Sequence, residues 1–518
     1  MKKILFIIPP YSSFEKYDIK KLGFKMPNFT APYGILSLIS YINKDKKHDV
    51  RIIDLGKIII DIQKDLDDCN FKEVVIENIK SNITKFNPDY IGISVLFDSN
   101  FSHLKYMAPL IKEFYPEGTL LVGGGLATAM YNMLLNEIPS IDAICYGEGE
   151  IPLKKLLETG DFTSSFSWIT KESIKNNLIP RHEFIEDLDE IPIIDFRYVN
   201  VKDYDNRSPL LVNSFSKEKE KIEMNIHTSR GCPFNCIFCA SSKTHGKRIR
   251  YMSLNKVKET IKNYIDKYNM NVLLIEDDNF FFKKERVLKI LKIIKDFNVR
   301  VEIPIGAAVS KIDDDVAQAL YEAGVRRVSL AVESGSDYVL QKLMHKPLKK
   351  AQIPKAVNSL KKFNIGVHAF IVIGLPNELD EHRKETYDML LDLEIDWVHI
   401  FIAIPLTGSK LYEVCEEKGY LSSKNYDNYD ISNCNIKAPG VDPEKIKEEA
   451  FYMNMVINYI LNSNYKNGNY DVCLPYFLNV SKMYPNNAVV HYMLYKTIVN
   501  KDKYWSSMFQ KFKEDQLI

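Results

Sequence analysis

Residues 225–239 read NIHTSRGCPFNCIFC. The first four form a short strand-prone run, and the loop after them carries Cys232, Cys236 and Cys239 in the spacing C-x3-C-x2-C. The chain then repeats one rhythm. Strand runs at Val272–Glu276, Val301–Ile305, Val328–Val332, Val367–Ile373 and Val398–Ile402 alternate with helical patterns at Leu254–Lys267, Lys284–Asp296, Asp313–Ala323, Asp337–Met344, Ala351–Phe363 and Glu381–Leu393. Six β/α units in succession predict a curved parallel sheet, a partial (β/α)6 barrel of the TIM type, with its chemistry at the carboxyl ends of the strands. The three cysteines follow the first strand directly, so the pattern places them on that rim.

Upstream lies a second α/β series. Strands are expected at Ile4–Ile8, Val50–Asp54, Tyr90–Val95, Thr119–Val122 and Ala143–Tyr146, with helices at Gly34–Asn43, Glu73–Phe86, His103–Phe114 and Met130–Asn136. This alternation predicts an open, doubly wound, Rossmann-like parallel sheet, whose ligands bind beyond the carboxyl ends of its strands. Those ends carry Pro9-Pro10, Ser94, Gly123-Gly124-Gly125 and Gly147-Glu148-Gly149-Glu150. Glycines let a bulky ligand approach the backbone, and their clustering at one edge favours a ligand site over simple tight turns.

The full chain has 518 residues, enough for about three domains; 69 Lys and Arg against 68 Asp and Glu give a formal net charge of +1. That balance argues against nucleic acid as a default partner, because non-specific phosphate binding needs concentrated positive charge. MKKILFIIPP at the start has too short an apolar run for a signal peptide, and no transmembrane segment is expected. Thinly scattered cysteines with one tight trio suit a cytoplasmic protein in which the trio binds metal. Beyond Pro405 the β/α rhythm stops. Pro443–Leu461 reads as an amphipathic helix, and residues 465–500 as a helical hairpin with spacings like one tetratricopeptide unit. A helical cap is slightly preferred there to a peptide-binding module. The run Lys217–Lys221 reads as a solvated turn.

Three thiolates on one short loop can each ligate an iron of a [4Fe–4S] cluster, leaving the fourth iron open to an exogenous chelating ligand. A zinc site would need a fourth protein ligand, for which His245 is the available residue. The uneven spacing and the aromatic Phe238 just before Cys239 favour iron–sulfur.

The trio resembles the radical S-adenosylmethionine (SAM) signature C-x3-C-x-aromatic-C. Residues 275–280 (IEDDNF), 331–336 (AVESGS), 373–376 (IGLP) and 404–409 (IPLTGS) resemble other landmarks of that barrel. With Gly147–Glu150 and the early proline pair, the chain over about residues 1–430 is similar to the subclass with an N-terminal cobalamin (B12)-binding domain. The resemblance implies a cobalamin-binding domain at 1–160, a linker at 161–222, a radical SAM core at 223–432 and a helical region at 433–518. It implies a [4Fe–4S] cluster on Cys232, Cys236 and Cys239, and reductive cleavage of SAM to a 5′-deoxyadenosyl radical. Glu276, with Asp277 as its rival, would meet the methionine amino group, Glu333 the ribose, and Phe238 would flank the adenine; Ser334 and Gly374 complete the expected SAM contacts. Pro10, Ser94, Gly123, Gly124, Gly147, Glu148 and Gly149 are the expected cobalamin contacts. The motif D-x-H-x-x-G is absent, so no histidine from it would ligate cobalt. The implied activity is methylation of an unactivated carbon in a small molecule or peptide, fed by an external electron donor such as flavodoxin or ferredoxin. Cyclisation, rearrangement or ring contraction with the same cofactors is the close alternative; a non-catalytic cobalamin or metal-binding sensor is an alternative of another class.

Overall fold

The computed structural model describes residues 1–10, 30–63, 71–204, 221–429 and 433–502. Most of the Lys217–Lys221 run, the middle of the 161–222 linker, the last residues of the 223–432 core and the chain after 502 lie outside the described residues.

The N-terminal sheet is built from strands β1 (Lys3–Ile8), β2 (Asp49–Asp54), β3 (Tyr90–Ser94), β4 (Thr119–Gly123) and β5 (Ala143–Cys145), joined by helices α1 (Tyr33–Ile42), α2 (Leu55–Gln63), α3 (Phe71–Phe86), α4 (Asn100–Phe114) and α5 (Gly125–Glu137). Its order is β2-β1-β3-β4-β5, all parallel, with β6 (Trp168–Ile169) added antiparallel at the far edge. The sheet therefore runs past residue 160 into the stretch read as linker. β1 is apolar at every position after its first because both faces are covered. Ile4, Phe6 and Ile8 pack on the α1 side, while Leu5 and Ile7 pack on the opposite side with Ile79, Ile83 and Leu104. Strand order reverses between β1 and β3, so a crevice opens at their carboxyl ends, where such sheets take their ligands.

The second unit comprises β7 (Glu223–Ile226), β10 (Val272–Ile275), β11 (Arg300–Glu302), β12 (Arg327–Glu333), β13 (Gly366–Ile373) and β14 (Trp397–Ile402). Two parallel ladders, β7-β10-β11 and β12-β13-β14, are joined by parallel bridging of Ala307 to Leu330, which completes the six-strand arc in sequence order. A short antiparallel hairpin, β8 (Ser229–Arg230) with β9 (Arg250–Tyr251), flanks the cysteine loop. Helix α6 (Glu150–Thr159) follows β5 and packs on the N-terminal sheet, whereas α7 (Ser241–His245), α8 (Leu254–Tyr268), α9 (Lys284–Phe297), α10 (Asp314–Glu322), α11 (Ile353–Lys362), α12 (Asp380–Asp392) and α13 (Lys410–Glu417) belong to the second unit. The stretch expected as a helix over Asp337–Met344 forms a π-helical turn at Val339–Leu343. One continuous core lies under the barrel helices, and Leu36 of α1 belongs to it, so the two domains share buried apolar surface.

An open arc leaves β14 with an unpaired edge, which sheets must cover. The C-terminal region covers it: α14 (Pro443–Met455) runs into a π-helical turn at Val456–Ile460. From that turn the buried Asn458 side chain accepts from Val398 N at 2.7 Å and donates to Val398 O at 2.7 Å, imitating a neighbouring strand. The hairpin of α15 (Tyr470–Met483) and α16 (Ala488–Lys501) packs Phe477 and Val490 with Trp397 at the start of β14.

Candidate active site

Cys232, Cys236 and Cys239 lie at the carboxyl end of β7, beyond β8, as free thiols. The loop is held from several sides. Gly231 has φ +96°, and a Cβ there would stand 2.5 Å from Arg248 O, so no other residue fits without displacing backbone. Gly231 N donates to Asp278 Oδ2 at 2.7 Å, and Asp278 also takes the Ser241 hydroxyl. Ile237 bonds through its N–H to Met344 O at 3.0 Å and through its carbonyl to Leu411 N at 2.8 Å. Asn279 Nδ2 points at Cys232 Sγ from 3.6 Å. Cys239 is exposed as a residue, yet burial of its thiol raises the pKa to about 11; burial also raises Cys236, with Lys346 opposing and Glu333 adding. A thiolate ligand is deprotonated by the metal it binds, which reverses that shift.

These residues fit a cluster better than a zinc ion. Among the described residues, no three His, Cys, Asp or Glu side chains gather to hold a single metal ion. His245 is turned instead to Glu148, with Nδ1 2.8 Å from Oε1. Three thiols on one loop, each available to a different iron, match a cubane with one open corner.

The two neighbouring carboxylates Glu276 and Asp277 separate in role. Asp277 is 1% exposed and accepts from Thr228 N at 2.5 Å, Thr228 Oγ1 at 2.6 Å and Ser229 Oγ at 2.6 Å. Its carboxylate braces the chain entering the cysteine loop. Burial lifts it to about 6, against those hydrogen bonds. Glu276 is half-buried, accepts from Asn225 Nδ2 at 2.9 Å and lies 4.0 Å from His227 Nε2. Burial raises its pKa and Asn225 lowers it. His227 stacks on Tyr33 from α1, ring centroids 4.4 Å apart, and burial followed by Arg230 lowers it to about 3.

Glu333 ends β12 at a register shift, with φ +64° and an ion pair to Lys346 at 3.2 Å. A left-handed glutamate is uncommon, and such strain concentrates where a side chain must be aimed. Ser334 is fully buried, 3.1 Å from the Thr386 hydroxyl and bonded to Ser336 N, so its side chain closes the turn. Gly374 has φ +89° and donates its N–H to Glu378 Oε2 at 2.5 Å. Glu378 is wholly buried, and burial raises it to about 7. Phe238 is half-buried against the barrel core.

Inside the arc, residues alternate: Ala369, Ile371 and Val398 enter the core beneath the helices, while His368, Phe370, His399 and Phe401 take the other face. The Phe370 ring lies 5.4 Å from His399 and 5.6 Å from Phe401, a half-buried ring wall. His399 Nε2 is 3.2 Å from His368 Nδ1, and His368 Nε2 is 2.9 Å from the Tyr476 hydroxyl of α15. Burial, then Arg327, lowers His399 to about 4, which leaves a neutral imidazole on the wall.

At the sheet's switch point, Asn100 Nδ2 donates to Pro10 O at 2.9 Å while its Oδ1 receives Leu96 N and Phe97 N, each at 3.0 Å. This fixes the loop after β3 against the end of β1. Leu96 and Phe97 are left 56% and 49% exposed, and Gly124 comes so close to Val95 O that a Cβ would be 2.4 Å from it. Ser94 and Gly123 pair at the ends of β3 and β4. Exposed apolar side chains over tightly folded backbone suit a broad, largely apolar ring system such as a corrin. The Gly147–Gly149 turn is used differently. Gly147 packs against His182, whose Nδ1 a Cβ would approach to 2.4 Å, and Gly149 precedes α6 with Leu38 over it. Glu148 is 5% exposed and faces the barrel: Arg250 donates to both its oxygens at 2.9 and 2.6 Å, and Arg230 lies 3.2 Å away. Burial alone would raise its pKa; Arg230, Arg250 and His245 hold it well below the usual carboxylate range. Its side chain therefore serves as an inter-domain clamp. A second tie joins Thr407, after β14, to the buried Asp98 through its N–H at 3.1 Å and its hydroxyl.

Residues 226–390 match the Radical SAM superfamily, and residues 19–157 match the B12 binding domain. The chain is a radical SAM enzyme with an N-terminal B12-binding domain. As a cobalamin-dependent radical SAM enzyme its cofactors are a [4Fe–4S] cluster, SAM and cobalamin. This enzyme is 28% identical over 451 residues to an uncharacterized methyltransferase of Pyrococcus horikoshii, covering 86% of this chain and 90% of that one. It is 24% identical over 497 residues to the cytidylyl-2-hydroxyethylphosphonate methyltransferase of Streptomyces wedmorensis, covering 88% and 90%. In fold it is similar to the cobalamin-dependent SAM radical enzyme OxsB solved with aqua-cobalamin and SAM, with a TM-score of 0.65 at 15% identity, over 100% of this chain and 76% of that one. No helix among the described residues is long and apolar enough to cross a membrane.

Arg230, Arg250, Asp278, Asn279, Lys346 and Glu378 escaped the sequence reading. Arg230 beside the cysteine loop and Asp278 and Asn279 within IEDDNF lay in stretches already quoted; Arg250, Lys346 and Glu378 need the fold to bring them to the site.

Proposed function

We propose that this enzyme methylates an unactivated carbon of a small molecule or peptide. The observation that carries the reading is the opposition of two carboxyl edges: the β1/β3 crevice and the barrel rim with its cysteine loop are tied together by Asp98–Thr407 and by Glu148–Arg230–Arg250. When bound, the cofactors supply a hydrogen-abstracting radical and a transferable methyl group. The chain's own part is to bring the reactants together, which can account for several kcal/mol of barrier, about 7–11 in well-oriented cases. Cys232, Cys236 and Cys239 would hold the cluster. Glu276, at the strand end beside Asn225, is suited to a cationic amino group, and Glu333 to hydroxyls. Leu96 and Phe97 would seat the corrin. The ring wall of Phe370, His399 and Phe401 gives the substrate an apolar surface with one neutral imidazole on it.

The relatives named as methyltransferases support methyl transfer, and the cluster loop supports radical catalysis over a passive sensor. The test is incubation of the anaerobically reconstituted enzyme and a low-potential reductant with host extract and methyl-deuterated SAM. A product carrying the labelled methyl group is expected, with 5′-deoxyadenosine formed alongside it. A product that loses hydrogen or rearranges without gaining label would replace methylation by cyclisation or ring contraction. Cys236→Ala is expected to abolish the cluster's visible absorption and 5′-deoxyadenosine formation together; parent-rate formation in that variant would refute the ligand assignment.

A further inference from the structure

The cysteine loop is the arc of chain between β8 and β9, and Arg230 pairs with Arg250 across the base of that hairpin. Both side chains are buried, at 6% and 4% exposure, and both run out of the barrel into the N-terminal domain. Arg250 grips Glu148 bidentately; Arg230 lies 3.2 Å from Glu148 and 2.8 Å from Glu150, and donates to Ser37 at 3.0 Å. His245, at the end of α7 just beyond the cysteines, adds a contact to Glu148 at 2.8 Å. Two carboxylates thus face two guanidinium groups in a buried, internally balanced cluster. Breaking one member leaves a charge uncompensated in the interior, so the geometry is strongly enforced. Glu148 stands in the turn after β5, on the same sheet edge as the β1/β3 crevice, and Gly147 fixes that turn with φ +78°.

We propose that Glu148 is a positioning residue for the cluster loop, and that through it the corrinoid site and the cluster site are energetically linked. The β5–α6 turn stands on the sheet edge that cobalamin would occupy, Glu148 in that turn holds Arg230 and Arg250, and these hold both stems of the loop that grips iron. This rests on the reading that cobalamin lies along that sheet edge. The linkage is reciprocal: if cobalamin tightens the hold on the cluster, the intact cluster tightens the hold on cobalamin by the same factor.

The test uses the reconstituted holoenzyme, with the rate of iron loss to a ferrous chelator measured with and without hydroxocobalamin. Cobalamin retention is checked by gel filtration and the cluster's midpoint potential by redox titration. In the parent enzyme cobalamin is expected to slow iron release by about fivefold or more. Glu148→Gln is expected to retain cobalamin, release iron faster, show little protection by cobalamin, and shift the cluster potential positive because two buried guanidinium groups lose a counter-charge. Arg250→Lys, which keeps the charge but loses the fork, covers the case in which Glu148→Gln does not fold; it is expected to lose protection with little shift in potential. Cobalamin bound to the parent enzyme without any protection of its iron would overturn the linkage alone. So would full protection surviving in either variant. Parent enzyme that retains no cobalamin would overturn the underlying reading as well.

Discussion

Asp277 and Asp278 stand side by side after β10 and brace opposite ends of one loop. Asp277 takes Thr228 and Ser229 on the entry side, and Asp278 takes Gly231 N and the Ser241 hydroxyl across the cysteines. Removing Asp278 strips its hydrogen-bond acceptor from Gly231 N while leaving the barrel core untouched. Asp278→Ala is therefore expected to fold, by circular dichroism, but to retain severalfold less iron after reconstitution and desalting; parental iron content would show that the brace is dispensable. Glu378 offers a pH-dependent counterpart. It accepts from Gly374 N and Leu375 N on one oxygen, while Oε1 is buried with no hydrogen-bond partner among the described residues. Burial raises this carboxyl from 4.5 to about 7 in the folded chain. The native state therefore keeps a proton that the unfolded state has released, and the group's contribution is full below about pH 4.5 and is lost as pH rises to about 7. The effect is on the order of 3 kcal/mol. Melting followed from about pH 5 to about pH 8 should show the midpoint falling in the parent. The fall should be smaller in Glu378→Gln, which keeps an acceptor for both N–H groups but cannot ionise. Equal slopes in the two proteins would remove Glu378 as the cause.

The β/α periods announced each barrel strand to within a few residues because strands in a covered parallel sheet are rich in consecutive apolar residues, as in VLLI of β10 and the FIVI end of β13. What closes the arc was not legible. Asn458 is an ordinary amide in a helical pattern, and only the fold sets it against the free edge of β14 at 2.7 Å through both its donor and its acceptor. The same holds for the rings: Phe370, His399 and Phe401 look like core residues until the register assigns them to the inner face. Replacing Asn458 by Leu leaves the Val398 N–H and carbonyl buried and unsatisfied, at about 1–3 kcal/mol each. A loss of roughly 3 kcal/mol is expected, seen as a lower denaturation midpoint in urea. Asn458→Gln, which can re-form one bond, should lose less. A Leu variant as stable as the parent would mean that α14 packing alone closes the barrel.

At the scale of the whole molecule, the formal charge of +1 hides a concentrated use of charge at the domain boundary, where Glu148, Glu150, Arg230 and Arg250 are all buried. The glycines beside Glu148 lie where the chain turns at the carboxyl edge of the sheet, yet the acid itself faces the other domain, because a sequence motif records where the backbone turns and not what its side chains meet. The second tie, Asp98 to Thr407, sits at the end of β3, two strands along the sheet from the β5 turn, and holds the loop after β14 to the loop after β3, the one bearing Leu96 and Phe97. Ser102 to Asp427 at 2.7 Å supports it from α4. Neither contact touches the cysteine loop, so loosening them should alter how the two carboxyl edges face each other without altering the cluster. Asp98→Ala is expected to keep its iron, its cobalamin and the initial rate of SAM cleavage. Once a substrate is found by methyl labelling, the variant should form more 5′-deoxyadenosine per methylated product than the parent, because a misplacement of about 1 Å can cost on the order of 100-fold in a positioned reaction. Thr407→Val, which keeps the N–H donor to Asp98 and loses only the hydroxyl, should fall between the two. An unchanged ratio of 5′-deoxyadenosine to product in Asp98→Ala would show that the Glu148 clamp alone sets the alignment of the two domains.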